Sequence, residues 1–380
     1  MAALSHLGSI KKCFAPLKDP RVRKRTEHRL LDIIAIALCG VIANCDGWTE
    51  IIDFAHSRLT WLKRFLKLPN GIPSHDTFER VFAKIDPAIF NRCCVAWLRE
   101  VSDLLGCGHI AIDGKTLCGS ASSQLGPLHL VSAWATQAHL TLGEVAVEGK
   151  SNEITAIPEL LKLLDLKGAL VTIDAIGCQK AIAQQIVDKG GQYLLAVKAN
   201  QGHLLEDIQT TVAKAMDGEL GKHQVATITT TEEGHGRKEQ RTYTVITHLD
   251  EIRDRKLWAK LTTVGMCLRE RTIQGQTTEE VHYFIASGRL GARKAGLGMR
   301  GHWRIENNLH WHLDVHFGED HSRIQQRNAT RNFASMRKLA LCVLKHHPAE
   351  KSIPRKRKLA AQNPDFLEEI LAGAAKRDKI

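Results

Sequence analysis

Two short apolar runs in this 380-residue chain each end on a carboxylate. Ile110-Ala111-Ile112 leads into Asp113, and Ala169-Leu170-Val171-Thr172-Ile173 leads into Asp174. Runs of this length and composition fit buried strands of a sheet covered on both faces. Such a strand delivers the residue that follows it to the rim of the sheet, where open α/β sheets bind ligands. One aspartate in that position is most simply a cap or turn residue. Two in matched contexts point to a shared site. Like charges at close range raise each other's pKa or push apart. A hard divalent cation resolves the conflict, and Mg²⁺ is held by a few carboxylates plus substrate phosphates.

A third acid, Glu306, lies in a helix-like segment rich in histidine. On a helix His302, Glu306 and His310 line one face, which would be polar for a core. Asp314, Glu319 and Asp320 stay open as alternative third carboxylates. The density of His302, His310, His312, His316 and His321 raises a zinc reading. No cysteine lies nearby and the spacing matches no common zinc module, so zinc is disfavoured. A phosphate loop is nearly present at Gly143 to Ser151, but its first glycine is misplaced and the stretch overlaps a strand.

The charge balance agrees with a phosphate-bearing partner. Lys and Arg number 53 against 41 Asp and Glu, a formal net charge of +12. The excess is clustered at Lys18, Arg21, Arg23, Lys24, Arg25 and Arg29, and again from Arg327 through Arg337 and Lys345 to Arg355-Lys356-Arg357-Lys358. Such clusters neutralise nucleic-acid phosphates and release counterions, or else form a solvated face. Lys115, Arg237, Lys238 and His302 are further candidate DNA contacts. The longest apolar candidate, Leu30 to Ala43, is interrupted by Asp32 and too short to span a membrane. No secretory signal is evident and the ten cysteines are scattered, so a cytoplasmic protein with reduced thiols is expected.

Patterning divides the chain. The first hundred residues read as helices, at His28 to Asn44, Trp48 to Lys67, Asp76 to Ile85 with a capping box from Asp76 to Glu79, and Asp86-Pro87 to Leu105. Ser74 to Ile85 is a candidate DNA-reading helix. After Gly106 three strands give way to alternating helix and strand, the pattern of a mixed sheet with helices on its faces. From about 222 to 287 alternating Thr, Val and Ile predict an antiparallel insertion outside the parallel core. The expected class is α+β multidomain: helical domain 1–105, catalytic core 106–350, and basic tail 351–380 with a weak final helix.

These residues resemble the DDE-type transposases of bacterial insertion sequences, in the H-repeat-associated branch. The resemblance rests on Gly71-Ile72-Pro73-Ser74-His75-Asp76-Thr77-Phe78 in the N-terminal part. In the catalytic part it rests on Ala111-Ile112-Asp113-Gly114-Lys115-Thr116, Lys150-Ser151-Asn152-Glu153-Ile154-Thr155, Thr172-Ile173-Asp174-Ala175-Ile176-Gly177, Gly234-His235-Gly236-Arg237, and Gly301-His302-Trp303 onward to Asp320. It implies a ribonuclease-H-like core in which Asp113, Asp174 and Glu306 bind two Mg²⁺ or Mn²⁺ ions, with the β-rich insertion before the last acid. It implies double-stranded DNA as partner, both terminal inverted repeats and target, and a homodimer on DNA. Cys118 stands where relatives usually carry arginine. A nuclease that cuts without joining, or an inactive DNA-binding remnant, are the alternative readings.

Overall fold

The computed structural model describes residues 10–22, 26–102, 108–121, 126–147, 152–234 and 236–372. Arg23, Lys24, Arg25, Lys150, Ser151 and His235 lie outside them. Helices α1 (Leu30–Ile42), α2 (Trp48–Ser57), α3 (Leu59–Leu62), α4 (His75–Lys84) and α5 (Pro87–Ser102) come first. The cap of α4 is Ser74, whose hydroxyl accepts from the Thr77 N–H, so the box expected at Asp76 starts two residues too late. Asp86 caps α5 as expected, accepting from the Ala88 and Ile89 N–H groups at 2.8 and 3.0 Å.

Strands β1 (His109–Leu117), β2 (Leu128–Ala135), β3 (Leu140–Val147), β4 (Leu170–Ile173) and β5 (Gln192–Val197) form a sheet of order 3-2-1-4-5. β2 runs antiparallel to β1 and β3, while β1, β4 and β5 are parallel. This is the mixed sheet expected from the sequence pattern. Helices α6 (Glu153–Leu163), α7 (Lys180–Asp188) and α8 (Gly202–Met216) cover one face. Their apolar residues pack on Ile110 and Ile112 of β1, whereas Ala111 faces the opposite cluster. That alternation follows from the two-residue period of a strand.

The insertion strands β6 (Val225–Gly234), β7 (Arg237–Ile246), β8 (Leu261–Ile273) and β9 (Gln276–Ser287) are antiparallel, as expected. They are not a separate sheet. β9 pairs with β5, Leu194 opposite Ala286, so one nine-stranded sheet runs through core and insertion. The exposed edge of β5 would otherwise present unpaired backbone groups, and β9 fills it.

Helices α9 (Ala292–Ile305), α10 (Trp311–Phe317), α11 (Arg327–His346), α12 (Ile353–Gln362) and α13 (Pro364–Ala372) complete the chain. The final helix expected at Asp365 to Ala372 is present as α13. The rest of the expected basic tail is corrected, since α12 precedes it and Ile353, Leu367 and Ile370 join the same core as α1–α5 and α11. Trp48 of α2 lies 4.7 Å, centroid to centroid, from Phe333 of α11. Part of the second basic cluster is corrected with it, although Lys351, Arg355 and Lys358 are exposed. Arg357 is paired with Asp46 at 2.7 Å and stacked 4.1 Å over Phe317, and Lys356 donates to the Leu344 and His347 carbonyls at the end of α11. Arg337 is stacked over Phe333 and Lys338 is paired with Glu144. These cations hold helices together and are buried from any DNA backbone.

Candidate active site

β1 and β4 are neighbours in register, Ile112 opposite Ile173. Asp113 and Asp174 are the next residues on each strand, and neighbouring strands lie about 4.8 Å apart. Ile112 and Ile173 pack on the α6–α8 face. Alternation therefore turns both aspartates toward the α9 face. Asp174 also caps the short turn Ala175–Gly177, its Oδ1 accepting from the Ile176 N–H at 3.2 Å. Asn200 and Gln201, just past β5, brace that turn by donating to the carbonyls of Ala175 and Cys178 at 2.7 and 2.9 Å.

Glu306 reaches the pair because α9 lies unusually close to the sheet. A Cβ on Gly301 would stand 2.5 Å from the His109 ring, and one on Gly298 would stand 3.0 Å from Leu170. Only glycine permits that approach. The helix then widens into a π turn over Glu306–His310. π turns inside helices are uncommon and occur often at functional sites. Lys345 of α11 donates to the Asn308 carbonyl within that turn at 2.5 Å.

Among the described residues, Asp113, Glu306 and His310 offer ligand atoms that all lie within 4.8 Å of one another. His310 Nδ1 is 3.7 Å from Asp113 Oδ2 and 3.6 Å from Glu306 Oε2. Burial pushes the Asp113 carboxyl up to about 7, opposed by His310 and reinforced by Glu306 and Asp174. The nearby imidazole of His310 holds Glu306 below the usual carboxylate range. Asp174 lies outside that tight group but lines the same cavity of about 240 Å³ with Asp113, Glu306, His302 and Lys198. Three hard oxygen donors and one imidazole, with an aspartate whose charge is penalised, form a donor set that fits a divalent cation.

Lys198 follows β5 as Asp113 and Asp174 occupy β1 and β4. It is exposed and, among the described residues, is the one Lys or Arg lining the cavity. The apolar run Leu194-Leu195-Ala196-Val197 ending on a charge was the sequence signal for it.

The other candidates fall elsewhere. Lys115 Nζ is 2.5 Å from Asp314 and 3.7 Å from Asp320, its side chain only 11% exposed, so it ties β1 to the segment after the π turn. Asp314 and Asp320 are engaged by that lysine. Glu319 is 1% exposed, with neither carboxylate oxygen hydrogen-bonded. Arg237 and Lys238 sit beside the β6–β7 turn, paired with Glu239 and Glu233, and neither lines the cavity. His302 lines the cavity, its Nδ1 3.2 Å from Thr172 Oγ1, which in turn meets His109 Nε2 at 2.8 Å. Burial lowers the His302 pKa, favouring a neutral ring over a cationic DNA contact. The zinc reading finds no support in the geometry, since His312 and His316 stack around Trp311 and not with His310.

Comparison with known proteins accords with this geometry. Residues 108–343 match the family described as "Transposase DDE domain", and residues 11–98 match its associated domain, "DDE_Tnp_1-associated". The chain belongs to the DDE transposase family. It is 40% identical over 366 residues to "Putative transposase YncI" of Escherichia coli O157:H7, covering 94% of this chain and 93% of that protein. It is 38% identical over 366 residues to "H repeat-associated putative transposase YhhI" of Escherichia coli K12, covering 94% and 96%. In this family member no described helix is long and apolar enough to cross a membrane.

Proposed function

We propose that the protein cleaves and joins phosphodiesters at the ends of an insertion sequence, with two divalent cations, Mg²⁺ or Mn²⁺, held by Asp113, Asp174 and Glu306. The observation that carries this reading is the register of β1 and β4, which sets Asp113 beside Asp174 at the cavity that Glu306 also lines. When bound, such ions activate a water or hydroxyl nucleophile and neutralise charge on the phosphate. Asp113, which lines the cavity with both Glu306 and Asp174, would be available to either ion. The turn braced by Asn200 and Gln201 fixes Asp174, and the glycine face of α9 fixes Glu306. Lys198 is placed to meet a non-bridging phosphate oxygen at the cavity mouth, in the role that Lys115 does not fill.

The N-terminal helices recognise terminal inverted repeats, and two copies of the chain bring two ends together. The test supplies pre-cut DNA ends and target DNA with Mg²⁺, Mn²⁺ or EDTA. Joined product with metal and none with EDTA supports the reading. Nicking of uncut ends without joining assigns a nuclease instead. Binding without either reaction assigns an inactive remnant.

A further inference from the structure

We propose that His310 is a direct metal ligand, supplying Nδ1 to the same ion that Asp113 and Glu306 hold, and that this donor biases the site toward Mn²⁺ over Mg²⁺. The inference rests on the metal-dependent reading above and deepens it. Its basis is position. The His310 side chain is 7% exposed, yet its Nδ1 lies 3.7 Å from one carboxylate and 3.6 Å from the other. Both distances are too long for good hydrogen bonds. They match the spacing of donor atoms around one ion, about 3–4 Å apart when each metal–ligand bond is about 2.1 Å. A buried imbalance of this kind, one ring between two acids without close contact to either, is what a site leaves when its centre is a cation.

The backbone supports the same conclusion. Glu306 and His310 begin and end the π turn. In a regular α-helix residues four apart stack on one stripe. The wider turn alters how the two side chains meet, and Asp113 completes a third corner from β1. Lys345 fills the Asn308 carbonyl inside that turn, which stabilises the departure from α geometry. His302, also on the cavity wall, is already engaged with Thr172 and sits outside the tight group.

Imidazole is a softer donor than carboxylate. Mg²⁺ demands an oxygen shell, whereas Mn²⁺ lies on the first-row series that accepts imidazole. A site of two carboxylates and one imidazole therefore prefers Mn²⁺.

The experiment uses full-length protein with Mn²⁺ alone, without DNA. Electron spin-echo spectroscopy of the Mn²⁺-loaded protein should show coupling to a directly bound ¹⁴N nucleus. The coupling should vanish in His310→Gln and persist in His302→Gln. Titration should show Mn²⁺ binding weakened about tenfold or more in His310→Gln, with a smaller loss for Mg²⁺. If His310→Gln does not fold, the presence or absence of nitrogen coupling in the unaltered protein still decides. Absent coupling, with Mn²⁺ bound as tightly by His310→Gln, overturns the assignment and leaves His310 a neighbour that orients the acids. Asp113→Asn separates the two levels. If it abolishes Mn²⁺ binding while His310→Gln does not, only the ligand assignment fails. If neither changes binding, the metal reading of the site fails as well.

Discussion

The Lys345 ammonium of α11 donates to the Asn308 carbonyl at 2.5 Å, joining that helix to the π turn that carries Glu306. Burial lowers the Lys345 pKa from 10.5 to about 8. Above pH 8 the folded chain has released this proton while the unfolded chain keeps it up to about 10.5. The unfolded state then binds more protons, so this group makes stability rise with pH across that window. Lys345→Met should remove the rise, seen as a flatter plot of Tm against pH from 8 to 10 than in the parent protein. The same variant should slow DNA cleavage, because the widened turn loses its partner. A parallel pH plot and unchanged cleavage would contradict the role.

Gly301 sets the distance between α9 and β1. Its missing Cβ leaves room for the His109 ring, which a methyl group would approach to 2.5 Å. Gly301→Ala should therefore lift the helix and draw Glu306 away from Asp113. The expected result is a loss of cleavage of about tenfold to a hundredfold, with folding retained and Tm lowered by an overpacking cost of about 1–3 kcal/mol. Gly291→Ala, at the N-cap of the same helix where no atom lies near a Cβ, serves as control.

Lys338 and Glu144 form an ion pair between α11 and β3, with side chains only 6% and 4% exposed. Burial pushes the Glu144 carboxyl up, but Lys338 and the Ser335 hydroxyl together pull it below its ordinary value of 4.5. A depressed carboxylate contributes stability above its unfolded pKa, and that contribution is lost as pH falls through the lowered folded value. Acid melting should accordingly be steeper in the parent than in Glu144→Gln. Lys338→Met strands a buried charge and should cost about 3–5 kcal/mol at neutral pH, whereas Glu144→Leu combined with Lys338→Met should cost less. Denaturant melts of the three variants check the order.

Lys198 stands at the end of β5 beside the carboxylate cavity. Lys198→Ala should weaken binding of DNA ends and lower the slope of log affinity against log salt by about one ion. Lys115→Ala, whose ammonium is committed to Asp314, should leave that slope unchanged and reduce stability instead. The reverse pattern would restore Lys115 as the phosphate contact.

The two aspartates were legible because a buried strand advertises itself by an apolar run ending on a charge. Asp174 does follow the end of β4, whereas β1 continues past Asp113 to Leu117, so there the charge marks the site and not the end of the strand. The same signal precedes Lys198 and went unused, since a lysine there reads as an ordinary solvent residue until its strand is seen parallel to β1 and β4. The fusion of β9 onto β5 was not legible, since alternation reports which face a residue takes and not which edge a strand joins. Within the basic stretch Arg355-Lys356-Arg357-Lys358, whose outer two residues are exposed, Lys356 and Arg357 misled for a related reason. Periodicity weighs side-chain charge, but Arg357 and Lys356 are neutralised by Asp46 and by helix-end carbonyls distant in sequence. The helical spacing put His302, Glu306 and His310 on one stripe; His302 and Glu306 do line one cavity, but His302 Nδ1 is engaged by Thr172 and stays outside the close group of Asp113, Glu306 and His310.

Cleavage of DNA carrying the element's own ends, measured for the parent protein and for Asp113→Asn and Asp174→Asn in Mg²⁺ and in Mn²⁺, tests the central claim most directly. The account predicts cut product from the parent, none from either variant in either metal, and end binding within about threefold for all three proteins. Cutting by both variants at the parent's rate would contradict it.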